Sequence, residues 1–570
     1  TAFCCMISWK AFSLAEWMCG FAAGLMLLLG ILIGVARTDE TLVSLWQVLP
    51  WTIVPVFALS WFFAWTFADE LRDRWQVILA LLVGGIAFGA SAWIYVYGFG
   101  FDPFIHQAAA RYLAEHHVIT LPSPLYAGYY GLLALSSWIT PFSIAHIDRA
   151  LVPFCMTLFF AWWLVRGTAT WALPRWVGWG LFLLPFGFAT LSVPYHLSVV
   201  CVLWLIAALP RVRLSPWLIM FLAMLCLIHP LLVVPATVAL LGVVWRPSNA
   251  SWWKSALLAL FTCGGIVALF WMYAAQGGGA LVVPSWDGLQ RAFTVVTVFP
   301  FADESLSLWL AMVWRIQHGW TFFATLLGVI GFLRFAPPTH RVAATTLVSV
   351  TIGVAVALVW IAAGASFENI LPTEQFEFAL RLRNSLPWLV FPGLGFLLEW
   401  LVARSSRLTV GGVCAVLVGI VWYTAYPLYA PGSAYAAPGL GRAEIEAFEL
   451  AEQMSGLESY AALAPQMVSA AALRSFGFER ALATVDGERY PYAIPTGGEL
   501  YRWYLRLWSE RDPSELLREA CHFAQVPQVI VIMPVAWDPQ RWIDNRLVGV
   551  TKTAVTSDQR HRVYRYSCAQ

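Results

Sequence analysis

The feature that most constrains this 570-residue chain is a series of long apolar runs that recurs as far as about residue 427. Hydrophobic residues make up 60% of the chain and charged residues only 12%, about half the charged share of soluble proteins. A run of about 20 apolar residues forms a helix that crosses a bilayer, because its backbone hydrogen bonds are satisfied internally. The sequence therefore predicts an α-helical polytopic membrane protein.

We predict about thirteen transmembrane helices. The stretch 215–245 is either two short helices broken at Pro230 or one kinked helix, because proline interrupts the helical hydrogen-bond ladder. The apolar run 126–139 is too short to cross a membrane, so we expect it on the outer surface or as a re-entrant helix. The predicted spans lie near 17–36, 49–68, 77–97, 150–166, 172–188, 195–209, 215–229, 230–245, 255–274, 318–333, 343–363, 386–403 and 408–427.

Basic residues predict the orientation of these spans. With Lys10 inside, every predicted inner loop carries arginine or lysine, as the positive-inside pattern requires. Counting 126–139 as a span would move the later arginine pairs to the outside. The inner-loop basic residues are Arg72, Arg74, Arg166, Arg175, Arg211, Arg213, Arg246, Lys254, Arg334, Arg341, Arg404 and Arg407.

The chain divides into four parts by composition. These are N-terminal transmembrane helices (1–97), a first long outer loop with amphipathic helices (98–149), a transmembrane core (150–427) and a C-terminal outer α/β domain (428–570). In the last part, periodicity predicts helices at 443–454, 467–476 and 499–510, strands at 460–464, 528–533 and 563–566, and a turn-rich loop at 491–498.

Cys521 and Cys568 are the two cysteines of the polar C-terminal part. They form a disulfide if that part faces an oxidising compartment.

An acidic residue and a histidine stand at the end of the third apolar run. The stretch 98–117 reads GFGFDPFIHQAAARYLAEHH, in which Asp102 precedes His106 by four residues. If Pro103 is the first residue of a helix, Asp102 is a structural N-cap. The alternative is chemistry, because ionisable groups at a membrane surface are costly to desolvate. Asp102 and His106 are then the catalytic candidates, with Asp102 as general base or metal ligand.

A pair of acids in the outer loop 275–317 is the candidate metal site. Asp303 and Glu304 either bind a divalent cation, with Asp102 as a third ligand, or form a solvated turn.

Two arginines lie on the predicted outer side, against the positive-inside bias. Arg381 and Arg383 directly precede the span at 386. Arginine binds phosphate through several planar donors, so both residues are candidates for holding a lipid phosphate. The alternative is pairing with the acids of the same loop, which are Glu368, Glu374 and Glu377.

His196 and His229 lie at the outer ends of predicted spans. Both are candidates for substrate binding, although a lone histidine at a helix end more often serves packing. Asp148 and Arg149 are expected to pair with each other or with a neighbouring loop.

Three tyrosines, Tyr126, Tyr129 and Tyr130, begin the short apolar run 126–139. The favoured interpretation is an aromatic belt at the membrane interface. Stacking on a sugar is the alternative.

An acid in a FDPFIH segment at the start of an outer loop is followed by two non-spanning helices, near 103–117 and 126–139. Many spans and an outer α/β domain come after them. This layout resembles the integral-membrane glycosyltransferases of the C superfamily (GT-C), nearest to the oligosaccharyltransferase and protein mannosyltransferase branches. In that family the early acid is a catalytic base or metal ligand, which implies the same role for Asp102. The chain departs from the family in two extra spans before the acid, no WWD-type acceptor motif and no clear DxD.

The resemblance implies a membrane glycosyltransferase that moves a sugar or glycan from a polyprenyl-phosphate-linked donor to an acceptor on the outer face. The expected cofactor is a divalent cation, Mg²⁺ or Mn²⁺. The expected partners are the lipid-linked donor, membrane lipids and other subunits of a membrane complex, and not nucleic acid. The expected location is the bacterial inner membrane, with the C-terminal domain outside the cytoplasm.

Two alternatives remain open. The first is a non-catalytic subunit on the same scaffold, which the missing DxD and acceptor motif favour. The second is a transporter, which the lack of an inverted repeat and the scarcity of charges inside spans disfavour.

Overall fold

The structure is a computed structural model that describes most of the chain. The predicted metal ligands Asp303 and Glu304 and most of the loop 491–498 lie outside the described residues. The described ranges are 13–40, 42, 44–118, 126–245, 252–276, 279–297, 308–367, 375–426, 439–456, 458–478, 481–483, 489–491, 498–507, 513–535 and 550–569.

Helices make up nearly all of the apolar part. They are α1 Leu14–Val35, α2 Ile53–Phe67, α3 Asp73–Ile94, α4 Asp102–His116, α5 Ala127–Ile139, α6 Ile144–Trp162, α7 Thr168–Thr170, α8 Arg175–Gly178, α9 Pro194–Ala208, α10 Pro216–Ile228, α11 Val233–Val244, α12 Trp252–Gln276, α13 Trp286–Thr297, α14 Leu308–Phe335, α15 Arg341–Gly364, α16 Glu377–Leu389, α17 Phe391–Arg404 and α18 Arg407–Thr424. A π-helical turn, Trp163–Gly167, joins α6 to α7. Two short strands, β1 Gly279–Leu281 and β2 Ala365–Phe367, pair antiparallel.

Seven helical segments in the described residues are long and apolar enough to cross a membrane, which is consistent with a multi-pass membrane protein. An eighth would be formed by α16 and α17 together, with a bend of 45° between them. The seven segments are Leu14–Val35, Asp73–Ile94, Ile144–Thr170, Pro194–Arg211, Trp252–Ala275, Pro338–Gly364 and Arg407–Thr424.

The structure supports fewer complete spans than the thirteen predicted. Three predicted spans coincide with shorter apolar helices, which are Ile53–Phe67, Pro216–Ile228 and Pro230–Val244. The predicted span 318–333 lies within the 28-residue helix α14, of which Gly319–Phe335 is an apolar stretch. A helix of 15 residues such as α2 is about 22 Å long, less than the roughly 30 Å hydrocarbon core. The break at His229–Pro230 confirms two short helices in 215–245.

The predicted span 172–188 is wrong as a continuous helix. The chain there forms α8, a 3₁₀ turn at Trp179–Leu183 and a second 3₁₀ turn at Gly187–Thr190. Leu184 is extended, with ψ 149°, directly before Pro185, because proline excludes the helical conformation from the residue that precedes it. The apolar composition of this segment therefore reflects burial inside the helical bundle and not a spanning helix.

The C-terminal part contains a four-stranded sheet with helices beside it. The sheet order is β3-β6-β8-β7, with β3 parallel to β6 and the other pairs antiparallel. The predicted strands and helices of this part are present, with the helix predicted at 499–510 described as Glu499–Arg506, whereas α22, β4, β5 and β7 were not predicted. The elements are α19 Arg442–Ser455, β3 Tyr460–Leu463, α20 Gln466–Phe476, β4 Ala481–Ala483, β5 Arg489–Pro491, α21 Glu499–Arg506, α22 Pro513–Ala524, β6 Gln528–Pro534, β7 Val550–Val555 and β8 His561–Ser567.

A disulfide joins Cys521 on α22 to Cys568, the residue after β8. The other described cysteines are free thiols in the apolar helices.

Helix α4 lies between the apolar bundle and the C-terminal sheet region. Phe104 and Ala108, one turn apart, pack into the hydrophobic core of the C-terminal part. Ala109 and Ala110 pack into the core of the apolar bundle. Residues one turn apart share a helix face, so α4 presents different faces to the two cores and holds its N-terminus at their junction.

Candidate functional site

A polar pocket of about 230 Å³ lies at the N-terminus of α4. Four parts of the chain meet there: the start of α4, the residue before α5, the segment before and at the start of α9, and one face of α16. His229, the residue after α10, completes the wall. The pocket is lined by Asp102, His106, Tyr126, Leu191, Val193, Pro194, Tyr195, His196, His229, Glu377, Leu380, Arg381 and Asn384.

A glycine-rich turn places Asp102 at this pocket. Gly98 and Gly100 have φ values of +126° and +78°, which side chains with a Cβ rarely adopt. A Cβ at Gly98 would also lie 2.7 Å from the ring of Phe104. The carbonyl of Gly98 accepts a hydrogen bond from the Leu440 amide at 3.1 Å. The turn is therefore fastened to the first residues of the C-terminal part.

Asp102 is the first residue of α4, and no side-chain hydrogen bond caps the helix. The capping interpretation is therefore not what the structure shows. The Oδ2 atom of Asp102 instead lies 3.7 Å from Nη2 of Arg381. Exposed ion pairs of this kind add at most about 1 kcal/mol to stability, and these side chains are 53% and 32% exposed. The small gain in folding stability therefore does not explain why Asp102 and Arg381 are paired in this pocket.

Arg381 is held in place from two sides. Its backbone carbonyl accepts a hydrogen bond of 2.5 Å from the Tyr195 hydroxyl, and its guanidinium lies 5.5 Å above the ring of Phe378. Glu377, one helical turn away, lines the same pocket. Arg381 forms an ion pair with Asp102, and the Glu377 carboxyl is a second electrostatic partner of its guanidinium. Glu368 and Glu374 lie outside the described residues.

Arg383 does not line this pocket, contrary to the expectation that it acts beside Arg381. It is 4% exposed, and its guanidinium faces the side-chain oxygen of Asn384 at 3.3 Å and 3.4 Å. Residues two positions apart point to different sides of a helix. Of this pair, Arg381 lines the polar pocket and Arg383 does not.

His106 is a buried, neutral imidazole. Burial lowers its pKa from 6.5 to about 4, the Asp102 charge raises it, and the Arg381 charge lowers it. Its Nδ1 atom lies 3.2 Å from the Tyr130 hydroxyl. A neutral imidazole has one donor and one acceptor nitrogen, so Nδ1 of His106 either donates to the Tyr130 hydroxyl or accepts from it.

His196 has a defined tautomer. Its Nδ1 lies 2.8 Å from the carbonyl oxygen of Leu191, and a carbonyl only accepts, so Nδ1 carries the proton and Nε2 carries the lone pair. His229 stacks on Tyr126 with ring centroids 5.3 Å apart and meets Tyr195 edge-on at 5.2 Å. In the described part of the chain no partner is found for its buried Nδ1.

The tyrosines do not form an interfacial belt. Tyr129 and Tyr130 are 0% and 1% exposed, whereas belt residues sit at the headgroup level. Tyr126 lines the pocket, and burial raises its pKa to about 12. These three side chains are therefore part of the wall behind His106.

A second cavity of about 100 Å³ shares Tyr126 and His229 with the polar pocket. Its other walls are apolar and aromatic side chains of α12 and α16 and the residues after His229. They are Pro230, Leu231, Leu269, Phe270, Met272, Tyr273 and Phe378. A polar pocket thus adjoins an apolar one across a single pair of aromatic rings.

The described residues do not fit a bound metal ion. Within them, no group of three or more histidine, cysteine or acidic side chains is placed to hold one, and Asp102 is paired with Arg381. Asp303 and Glu304 are not described, so the predicted three-acid site stays a prediction.

Sequence reasoning missed two polar residues of the pocket, Tyr195 and Asn384. Tyr195 stands in the run Pro194-Tyr195-His196 beside a residue that was predicted, and Asn384 lies one turn after Arg381. Helical spacing from Arg381 is the signal that could have identified Asn384, since residues at i and i+3 share a face.

The arrangement can bind an anion at Arg381 and accept a proton at Asp102 or at Nε2 of His196. It also offers an apolar compartment beside those groups. No protein-family model, curated protein or solved structure matches the chain, so its function is inferred from the chemistry of this pocket.

Proposed function

We propose that the protein is a membrane glycosyltransferase that moves a sugar or glycan from a polyprenyl-phosphate-linked donor to an acceptor on the outer face of the membrane. The observation that carries the proposal is the polar pocket with the Asp102–Arg381 ion pair, set directly beside the apolar cavity. A lipid-linked sugar phosphate has the matching halves, an anionic headgroup and an apolar chain.

The charges of the pocket suit such a transfer. The acceptor oxygen or nitrogen forms a bond to the anomeric carbon and gives its proton to the Asp102 carboxylate. The bond between the anomeric carbon and the phosphate oxygen breaks, and its electron pair leaves with the lipid phosphate. Arg381 stabilises the charge that grows on that phosphate. No step here requires a metal ion, and a role for Mg²⁺ or Mn²⁺ at Asp303 and Glu304 is a separate proposal.

The apolar cavity supports a lipid chain as part of the ligand. Phe270 and Phe378 have ring centroids 5.3 Å apart, and Tyr273 lies 5.1 Å from Phe378. Aromatic walls of this kind bury apolar chains at about 25 cal/mol per Å². The first units of a polyprenyl chain would lie here while the phosphate reaches Arg381.

The disulfide supports an outer location of the C-terminal part. Disulfides persist in oxidising compartments and are rare in the cytosol, and Cys521 is bonded to Cys568. We place the C-terminal part outside the cytoplasm of a bacterial inner membrane. Helix α4 then carries Asp102 and His106 to the outer face.

The test compares the pocket ion pair with a second, matched ion pair. Asp102→Asn and Arg381→Gln are expected to lower transfer by about 100-fold or more, as loss of a catalytic or charge-stabilising group does. The measurement is mass-spectrometric detection of polyprenyl phosphate released from polyprenyl-phosphate sugars in proteoliposomes.

The controls are Asp73→Asn and Arg175→Gln. Asp73 and Arg175 form an ion pair at 2.5 Å with similar exposure, 58% and 36%, outside the pocket. They are expected to leave transfer unchanged. If the two pocket variants transfer sugar as fast as the two control variants, the catalytic assignment of Asp102 and Arg381 is wrong. Donor binding without turnover in the wild type would instead support the non-catalytic subunit.

A further inference from the structure

Asp148 is a buried acid that the proposed transfer does not use. It lies on α6 and is 0% exposed. Its Oδ1 accepts a hydrogen bond of 2.5 Å from the Tyr129 hydroxyl, and its Oδ2 accepts one of 2.7 Å from the Gln107 side-chain amide. Burying a carboxylate is costly unless it is well hydrogen-bonded, and here both oxygens have donors. The donors come from two different helices, α4 and α5.

Each of these donors neighbours a residue of the pocket wall. Gln107 follows His106 on α4, and Tyr129 precedes Tyr130 on α5. His106 and Tyr130 contact each other at 3.2 Å. Two links therefore join α4 to α5. One is the direct contact between His106 and Tyr130, and the other runs from Gln107 through the Asp148 carboxylate to Tyr129.

The residues around Asp148 on α6 hold two further segments of the pocket. Arg149 donates from Nη1 to the carbonyls of Tyr95 and Val96, at 2.9 Å and 2.7 Å. These two residues follow the end of α3 and come shortly before the glycine turn that leads to Asp102. The Val152 amide donates to the Ser192 hydroxyl at 3.1 Å, beside the segment that carries His196. The first half of α6 thus bonds to α4, to α5, to the residues after α3 and to Ser192 before α9.

The space beside Asp148 is too small for a ligand. The cavity there, lined by Gln107, Asp148 and Arg149, has a volume of about 10 Å³. A single water needs roughly 10–15 Å³. The cluster is packed, so its effect on the pocket acts through the positions of other side chains.

We propose that Asp148 is a positioning residue for His106 and Asp102, which ties α4 and α5 to α6 and so preforms the polar pocket. Its effect on sugar transfer rests on the proposed function, whereas its effect on His106 does not. The Asp148 carboxylate touches neither pocket nor substrate. Displacing catalytic groups by about 1 Å can lower a rate roughly 100-fold.

Two substitutions separate positioning from a general structural role. Asp148→Asn retains an oxygen for Tyr129, and the Gln107 amide can rotate to accept from the new side-chain nitrogen. Asp148→Ala leaves both Tyr129 and Gln107 without that partner. The expected result is a fall in kcat of about 10-fold or more for the alanine variant, with KM for donor within about 3-fold and activity restored in the asparagine variant.

The second measurement needs no substrate. NMR of ring-labelled histidine in the detergent-solubilised full chain follows the titration of His106, which is assigned by its absence in His106→Gln. The titratable groups near this ring are Asp102, Arg381, His229 and the three tyrosines Tyr126, Tyr129 and Tyr130. In the wild type its pKa is about 4, and in Asp148→Ala it is expected to move toward 6.5 as water reaches the ring. Asp148→Asn is expected to leave it low.

The outcomes decide the proposal independently of sugar transfer. An unchanged His106 titration in a folded Asp148→Ala variant overturns it, as does a loss of kcat that asparagine does not restore. If Asp148→Ala does not fold, Tyr129→Phe removes only one hydroxyl donor and carries the same prediction with a smaller shift. If the wild type transfers no sugar, the proposed function fails while the His106 titration still decides the positioning role.

Discussion

The polar pocket contains both charged side chains and neutral histidines. Asp102 and Arg381 form a half-exposed ion pair, whereas His106 is buried and His196 is fixed by a backbone carbonyl. Burial favours the neutral form of an imidazole, so His106 remains neutral near pH 7. The pocket therefore combines the guanidinium of Arg381, the carboxyl groups of Asp102 and Glu377, and imidazole nitrogens that keep their lone pairs.

Acid is expected to destabilise the protein through His106. The unfolded side chain takes up a proton near pH 6.5, whereas the pKa in the folded protein is about 4. The unfolded state binds more protons between these values, so stability is full above pH 6.5 and falls as the pH drops to about 4. The loss is at most about 3 kcal/mol. The measurement is the thermal unfolding midpoint at pH 7 and pH 4.5.

The comparison for this prediction is His106→Gln, which cannot titrate. Its midpoint is expected to fall less between the two pH values than that of the wild type. Other buried groups act equally in both proteins, so the difference isolates His106. Equal acid sensitivity would show that His106 is charged in the folded state.

At the scale of elements, α4 decides where the pocket lies. Its Phe104–Ala108 face belongs to the C-terminal core and its Ala109–Ala110 face to the apolar bundle. Because α4 packs into both cores, it cannot slide along one core without losing its contacts with the other. The glycine turn before α4 then sets the direction in which Asp102 leaves the helix end.

The glycine turn is expected to be intolerant of a side chain. Gly98→Ala places a Cβ 2.7 Å from the Phe104 ring at φ +126°, and left-handed backbone costs about 1–2 kcal/mol for a residue with a Cβ. We expect a thermal midpoint several degrees lower and reduced transfer. Differential scanning fluorimetry in detergent measures the first effect.

Gly24→Ala is the matched control for this turn. Gly24 lies in α1, where nothing lies within 4 Å of an added Cβ, and alanine is favoured over glycine in a helix by about 1 kcal/mol. The control is expected to leave the midpoint unchanged or higher. A Gly98→Ala variant as stable as the control would show that the turn tolerates strain.

At the scale of the whole molecule, two cores meet at one pocket. The apolar bundle supplies Arg381 and the histidines of α9 and the α10–α11 break, and α4 supplies Asp102 and His106. The Cys521–Cys568 disulfide fastens α22 to the end of β8 in the other core. The C-terminal part therefore stabilises the pocket indirectly, through Phe104 and Ala108.

Removing the disulfide is expected to loosen the C-terminal part. Cys521→Ser with Cys568→Ser releases a cross-link between residues 47 positions apart, which corresponds to about 4 kcal/mol of unfolded-state entropy in the loop-closure model. Limited proteolysis is expected to cleave the C-terminal part faster while leaving the bundle intact. Cys226→Ser, at an exposed thiol of α10, is the control. Unchanged cleavage, or maleimide labelling of both cysteines without reductant, would contradict the bond.

The spacing of apolar residues predicted most helices and strands correctly, because their formation depends on neighbours within a few positions. The positions of α4, α5 and the break at Pro230 follow from such local patterns. The pattern could not separate a buried apolar segment from a spanning one. That is why 172–188 was predicted as a helix, although Pro185 ends the helical conformation there.

By itself, the sequence determined that the chain has apolar helices able to cross a membrane, a C-terminal sheet and an acid–histidine pair at the start of α4. Tertiary structure alone decided that Arg381 meets Asp102 across 279 positions while Arg383 does not. It also decided that Asp148 bonds to α4 and α5 instead of to Arg149. The physical reason is that hydrophobic periodicity is a property of near neighbours, whereas the meeting of distant charges depends on how whole helices pack.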